Sequence, residues 1–464
     1  MQAGSGKELT WQTLSLPTLW GALRTKIIAR KFVQDVGVLT IANFVGAAMN
    51  FVQGILVARW LGPEFYGVAA LVMSYPSLVY TVFDARSVAA SVKYLGEYHA
   101  RGEADRALAM CKLGYIVDCA VACVTFLVLL LTARMVAENV VHDPAVAGLM
   151  ILYGGALILR ALVGTSNAVL VTLGRFPVLA SIEMGTTLLR VALIIGFVLA
   201  GWQVAGVIWA NAVAAAATGL FHAAVAWVLI RRTWGGSIFH GNLKALKGRL
   251  RQIFAFLAYT DLTALVGTIP NQLDLILLGY FRSPTEVGYY KLAKSISMVV
   301  RYLTKPLQTV TYPALARLTA LDHKRAFLQK VRKLLTWIGL PLGSLVFFGT
   351  GLIPFVLPML VGEAYLPAVR ATQLLCIGSA IALAFFWTRP VYLARGHVRQ
   401  MFIISSSVTL VFALVYPFVI REWGYMGSSA GMLALQVVGT SVSASWLWMQ
   451  LKVKEVPRVI GKNQ

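Results

Sequence analysis

Twelve runs of about 20 apolar residues, separated by short polar turns, leave this chain few folds to choose from. The hydrocarbon core of a bilayer is about 30 Å thick and offers no water to backbone groups, so each run must satisfy its own hydrogen bonds as a helix. The runs are expected at 36–57, 68–90, 113–132, 148–171, 178–200, 205–229, 253–280, 287–311, 334–357, 368–392, 401–420 and 428–450. Of 464 residues, 58% are hydrophobic and only 13% charged, against roughly a quarter charged in soluble domains. The chain therefore reads as an all-α polytopic membrane protein with 12 transmembrane helices.

The formal charge of +23 raises nucleic acid as a partner, but the basic residues sort by side of the membrane instead. Taking the connections alternately, 28 cations fall on one side and four, Arg59, Arg134, Arg282 and Arg421, on the other. The positive-inside rule then puts both termini in the cytoplasm. About 35 polar and amphipathic residues precede the first run, so no cleaved signal peptide is expected. Amphipathic stretches at 17–34, 94–110 and 236–251 suit an anionic membrane surface. Cys111, Cys119, Cys123 and Cys376 form no CxxC pair and no disulfide is expected of them, and Cys119 and Cys123, four residues apart on one helix face, are expected as small packing residues with no metal site.

The two halves repeat. Pro63 and Gly67 match Pro284 and Gly288 at an offset of 221, Gly174 matches Gly396 at 222, and Gly206 matches Gly427 at 221. One period holds six spans, so the halves share an orientation and are related by an axis along the membrane normal. The expected organisation is a cytoplasmic segment 1–35, a six-helix bundle 36–230, a cytoplasmic linker 231–252, a second bundle 253–450 and a tail 451–464.

Nine cations fall within the spans, against five acids, Asp84, Asp118, Glu183, Asp261 and Asp274. Lys291, Lys294, Arg301 and Lys305 lie within about 80° of one another on the eighth helix, with Met298 and Tyr302 on the same stripe. Facing lipid, an uncompensated Lys or Arg near a helix centre costs about 2.5–3.5 kcal/mol. The stripe is therefore expected to face a wet interior. Arg86, Arg160 and Arg190 are further deep cations, while Arg370 and Arg389 are nearer span ends and expected as interfacial anchors. Pro76 and Pro270 are expected to bend their helices.

Beyond these patterns, LVARWLGPEFYGVAALVMSY after the first span, VFDARSVAASVKYLGEY at the end of the second and LDLILLGYFRSPTEVGYYKLA at the seventh-to-eighth hairpin resemble Wzx-type oligosaccharide flippases, the polysaccharide transporter branch of the MOP superfamily. The resemblance covers roughly 30–450. It implies two six-helix bundles around a central cationic cavity, a MOP or MATE-like fold that opens alternately to each side. The implied activity is transfer of an undecaprenyl-pyrophosphate-linked oligosaccharide from the cytoplasmic to the periplasmic leaflet of the bacterial inner membrane, with a polysaccharide polymerase and co-polymerase as partners. Where many members carry glycine two residues after the second-span aspartate, this chain has Arg86 after Asp84.

The cation stripe suits a phosphate-bearing headgroup, because Arg offers bidentate hydrogen bonds and Lys a mobile point charge. Arg301, Lys294, Lys291, Lys305, Arg86, Arg160 and Arg190 are the expected substrate-binding residues. Asp84, Glu183, Asp261 and Asp274 are candidates to bind a coupling proton or sodium ion, and His222 could titrate. For Asp84 and Asp274, salt bridging to the excess cations is the preferred role. No other cofactor is expected. A membrane polymerase or other enzyme fits poorly, since no connection exceeds about 25 residues and no paired carboxylates occur. The absence of GxxxxGK[ST] excludes an ATP-driven pump within this chain. Within the superfamily, multidrug export would favour an acidic cavity, and lipid II export is associated with a longer chain.

Overall fold

The computed structural model describes residues 16–83, 87–258, 270–321 and 323–453, and these residues form helices and turns with no strand among them. We label the helices α1 (Leu16–Phe83), α2 (Ser87–Ala100), α3 (Ala104–Val136), α4 (Ala147–Ala161), α5 (Val163–Thr172), α6 (Phe176–Leu199) and α7 (Gln203–Trp234). After residues 250–258, also helical, come α8 (Pro270–Phe281), α9 (Pro284–Ala320), α10 (Lys324–Lys333), α11 (Leu340–Gly349), α12 (Ile353–Val361), α13 (Ala368–Ala384), α14 (Thr388–Ala394) and α15 (Val398–Val453).

Among the described residues, eight stretches are long and apolar enough to cross a membrane unaided. Twelve crossings follow once three local facts are added. Helices α1 and α15 each fold back at a glycine, Gly62 with φ 70° and Gly424 with φ 55°, so each is a hairpin of two spans. Helix α9 is long but too basic to qualify by apolarity, and α8 is the described end of the seventh span. Helical backbone continues through Pro76 from 63 to 83, and Pro270 is the first described residue of α8.

The sequence repeat is a repeat of turn geometry. Gly174 and Gly396 take φ 64° and 74°. The following amides close the same turn, Arg175 N to Leu170 O at 2.8 Å and His397 N to Tyr392 O at 2.9 Å. A third pair escaped sequence reading, because no glycine marks its second copy: Glu103 N to Tyr98 O at 2.9 Å matches His323 N to Leu318 O at 3.1 Å. At Pro63 and Pro284 the two repeats meet each other. A Cβ on Gly67 would lie 1.8 Å from Pro284 O, and a Cβ on Gly288 would lie 1.9 Å from Pro63 O. Only glycine permits this reciprocal approach of two backbones.

Six of the connections, at Gly62, 141–144, Gly201, Ser283, Gly362 and Gly424, lie on one side, which we call the turn side. The other carries the basic connections. On the turn side the two lobes share their cores. One cluster joins Leu71, Leu129 and Val140 to Leu278, Tyr290 and Tyr416, and another joins Val57 and Leu61 to Leu292, Leu357 and Tyr365. The Tyr365 hydroxyl donates to Ala58 O at 3.0 Å across this junction. On the basic side each lobe keeps a core of its own, one built from 90–257 and the other from 315–447. The lobes therefore join at one end and part at the other.

One surface assignment is corrected. Residues 94–110 do not lie along a membrane surface, since Tyr94, Leu95, Tyr98 and Ala107–Cys111 are buried inside the first basic-side core. Residues 236–251 pack onto the same hairpin, with Lys112 Nζ donating to Phe239 O at 3.1 Å and Leu246 buried. The apolar residues of 94–110 are covered by protein, whereas in 236–251 Phe239 stays 73% exposed. Cys119 and Cys123, expected to pack, are exposed, while Cys111 and Cys376 are buried.

Candidate functional site

Helix α9 explains how one span can carry four cations. Its buried stripe, Ala293, Ser297, Thr311 and Leu315, runs the length of the helix where it packs on α13. Toward the turn side two further sectors are occupied. Tyr290 and Lys294 meet α8 through Asp274, and Gly288, Leu292 and Ser295 meet the N-terminal lobe through Pro63, Val57 and the Tyr66 hydroxyl. Below Ser297 those neighbours diverge. Met298, Arg301, Tyr302 and Lys305 become exposed, and so does an apolar row, Val299, Leu303 and Val310. At 100° per residue the cation stripe is centred about 140° from that apolar row. Lys291, Met298, Tyr302 and Lys305 fall between the α8 and N-terminal-lobe sectors, with Arg301 at the α8 edge. The basic half of α9 thus presents charge to the gap between lobes and a separate apolar row beside it.

Lys294 has a different place from the one the sequence suggested. Its Nζ is 2.5 Å from Asp274 Oδ2, and Asp274 is fully buried. Tyr290 donates to the same oxygen at 2.8 Å and the Leu275 amide to Oδ1 at 2.7 Å. A buried carboxylate so engaged is a structural anchor between α8 and α9. Asp274 is therefore salt-bridged, as preferred, and Lys294 is a partner in that bridge. Lys291, Arg301 and Lys305 form no ion pair among the described residues.

A second charged group lies in the N-terminal lobe. Arg190 of α6 donates through Nη2 to Asn50 Oδ1 of α1, and Arg160 of α4 is within its electrostatic reach. Glu183 does not pair with Arg190, two turns away on α6. It is half exposed, with Oε1 3.9 Å from Nε2 of the buried His222 on α7. A Cβ on Gly219 would lie 1.8 Å from Leu159 O, and this contact sets α7 against the α4 backbone at Arg160. Asp118, the remaining described acid of the spans, does local work: Oδ2 accepts from the amide and hydroxyl of Thr165 at 2.9 and 2.7 Å. It satisfies the start of α5, where the fourth span breaks.

Asp84, Arg86 and Asp261 lie outside the described residues. Asn50 and Tyr290 were missed by sequence reading. Asn50 is uncharged and gives no signal, whereas Tyr290 stands four residues before Lys294 on one helix face and could have been found.

A family model described as polysaccharide biosynthesis protein matches residues 32–319. Over 225 residues the chain is 26% identical to the teichuronic acid biosynthesis protein TuaB of Bacillus subtilis (strain 168). That match covers 48% of this chain and 44% of TuaB, less than half of either. Among solved structures, the inward-facing conformation of a multidrug resistance MATE family transporter of the MOP superfamily has a TM-score of 0.68 at 14% identity, covering 89% of this chain and 96% of that one. The lipid II flippase MurJ, in an inward closed conformation, has a TM-score of 0.67 at 13% identity, covering 90% and 89%. The two-lobed fold described above is thus the fold of transporters and flippases.

Proposed function

The chain belongs to the polysaccharide biosynthesis protein family, and from that premise we propose that it is a Wzx-type flippase which moves an undecaprenyl-pyrophosphate-linked oligosaccharide between leaflets by alternating access. The observation that carries this reading is the exposed pair Arg301 and Lys305 on the gap face of α9, neither of which has an acid partner among the described residues. Two uncompensated cations at membrane depth need an anion or water beside them, and a pyrophosphate supplies the anion. The apolar row Val299, Leu303 and Val310 gives the polyprenyl tail a path beside the charge. Arg160 and Arg190 offer a second set of contacts in the other lobe, so that the headgroup can be passed along without one deep trap. On this reading the basic side is cytoplasmic and the gap opens toward it, in a bacterial inner membrane. The two lobes rock about the shared cores of the turn side, residues up to 258 moving with the N-terminal one, and the exported unit passes to a polymerase and co-polymerase.

The test uses a strain lacking the chain, complemented with Arg301→Gln/Lys305→Gln. Each lost charge-assisted contact is worth about 1.5–3 kcal/mol, so export of surface polysaccharide is expected to fall at least about tenfold. The lipid-linked intermediate should accumulate while the amount of protein in the membrane stays the same. Undiminished export by the double variant overturns the reading.

A further inference from the structure

His222 is fully buried in α7, and its Nδ1 lies 2.8 Å from Thr218 O. A carbonyl oxygen only accepts, so Nδ1 carries the hydrogen and the neutral ring presents a lone pair at Nε2. That nitrogen is buried, makes no hydrogen bond, and faces the Glu183 carboxylate at 3.9 Å. Two acceptors thus oppose each other across a distance that one shared proton would close. We propose that His222 and Glu183 form a proton-binding site within the N-terminal lobe. The proposal deepens the transport reading, because it makes the coupling ion a proton.

The surroundings favour a proton over a metal cation. A hard cation needs about six oxygen ligands, and among the described residues no group of three or more metal-ligating side chains exists. The elements packed on α7 bring Glu183 and Arg190 from α6, Arg160 and Tyr153 from α4, Asn167 from α5 and Asn50 from α1, while Asp118 of α3 is turned to Thr165. Glu183 is the acid that faces the ring. A proton entering from water at the half-exposed Glu183 lands on Nε2, and the imidazolium then donates Nε2–H to the carboxylate. No bond other than N–H forms, and the positive charge stays inside the pair. Engaged in this way, Glu183 offsets Arg160 and Arg190 less than it does when free, so proton and anion each favour binding of the other.

The test reads the ring directly. The full chain, with its six histidines labelled with nitrogen-15, is reconstituted in lipid nanodiscs and followed by NMR between pH 8 and 5.5, His222→Asn assigning the signal. If that variant fails to fold, substitution of the other five histidines assigns it by elimination. Expected is protonation of His222 within this range and, in Glu183→Gln, a midpoint lower by about one pH unit, which is a tenfold weaker affinity for the proton. A ring that stays neutral throughout, or one that titrates identically in Glu183→Gln, overturns the proposal. No transport is measured, so loss of the Arg301 and Lys305 reading would leave this result standing, and the reverse.

Discussion

At the scale of single residues, the Asp274 site shows what charge inside a membrane helix can mean. Lys294 is 13% exposed and Asp274 not at all, so neither charge has water in place of the other. Removing one partner of such a pair strands the other, at about 3–5 kcal/mol, whereas replacing both with apolar groups is often near neutral. Asp274→Asn is therefore expected to lower the melting temperature in detergent by several degrees, and Asp274→Asn/Lys294→Met to restore most of it. Equal loss in single and double variants would mean that packing, rather than charge, holds the site. The sequence marked Lys294 as deep and anomalous, yet could not show which way it turned, because its partner lies 20 residues earlier across the turn between α8 and α9. Arg301 and Lys305, on the same stripe, escape that fate only because α9 outruns the contacts of its turn-side half.

Among the helices, what could be read in advance was whatever is local. Apolar length located the crossings, and Gly–Pro turns at a common offset exposed the repeat, because both depend on neighbouring residues alone. What could not be read was how elements cover one another. The amphipathic stretch 94–110 has the composition of a surface helix and is covered by a core that includes residues from α5, α6 and α7 and from 243–257. The same holds for the joint in α15 at Gly424. Arg282 Nη2 donates to Arg421 O and Glu422 O at 2.7 and 2.8 Å, and the Glu286 carboxylate accepts from Tyr425 N at 3.0 Å. A cation thus closes the end of one helix and an anion the start of the next, each matched to the local helix dipole. Glu286→Ala is expected to cost about 1 kcal/mol in thermal stability. Gly288→Ala is a harsher change, since its Cβ would lie 1.9 Å from Pro63 O and overpacking costs about 1–3 kcal/mol. That strain falls between the lobes, so it is expected to part their turn-side ends, visible as a longer distance between spin labels placed there. A label distance unchanged from the parent protein would show that the crossing is slack.

For the whole molecule, two lobes joined at one end can rock only if the chain between them yields, and the structure shows where it does not. Residues 243–258 are clamped to the N-terminal lobe. Arg249 Nη1 and Arg101 Nη2 reach Glu97 Oε1 at 2.7 and 2.9 Å. Arg249 also lies over the Tyr98 ring, and Lys93 over Phe256. The end of the linker and the first residues of the expected second bundle therefore move with the N-terminal lobe. The hydrogen bond from Arg249, with Arg101 and Lys93 adding to it, holds the Glu97 carboxyl below its usual range. A group whose affinity for protons falls on folding contributes stability above its unfolded pKa of about 4.3, and that contribution disappears as pH drops through the folded value. The clamp should accordingly be intact at neutral pH and released only on acidification below the unfolded value. A spin label at Lys247→Cys, in a background without the four native cysteines, reports this as mobility that rises in acid. Glu97→Gln should show the same mobility already at pH 7. If the label stays immobile in Glu97→Gln, the ring contacts of Lys93 and Arg249 hold the linker without the carboxylate, and the acid sensitivity belongs elsewhere.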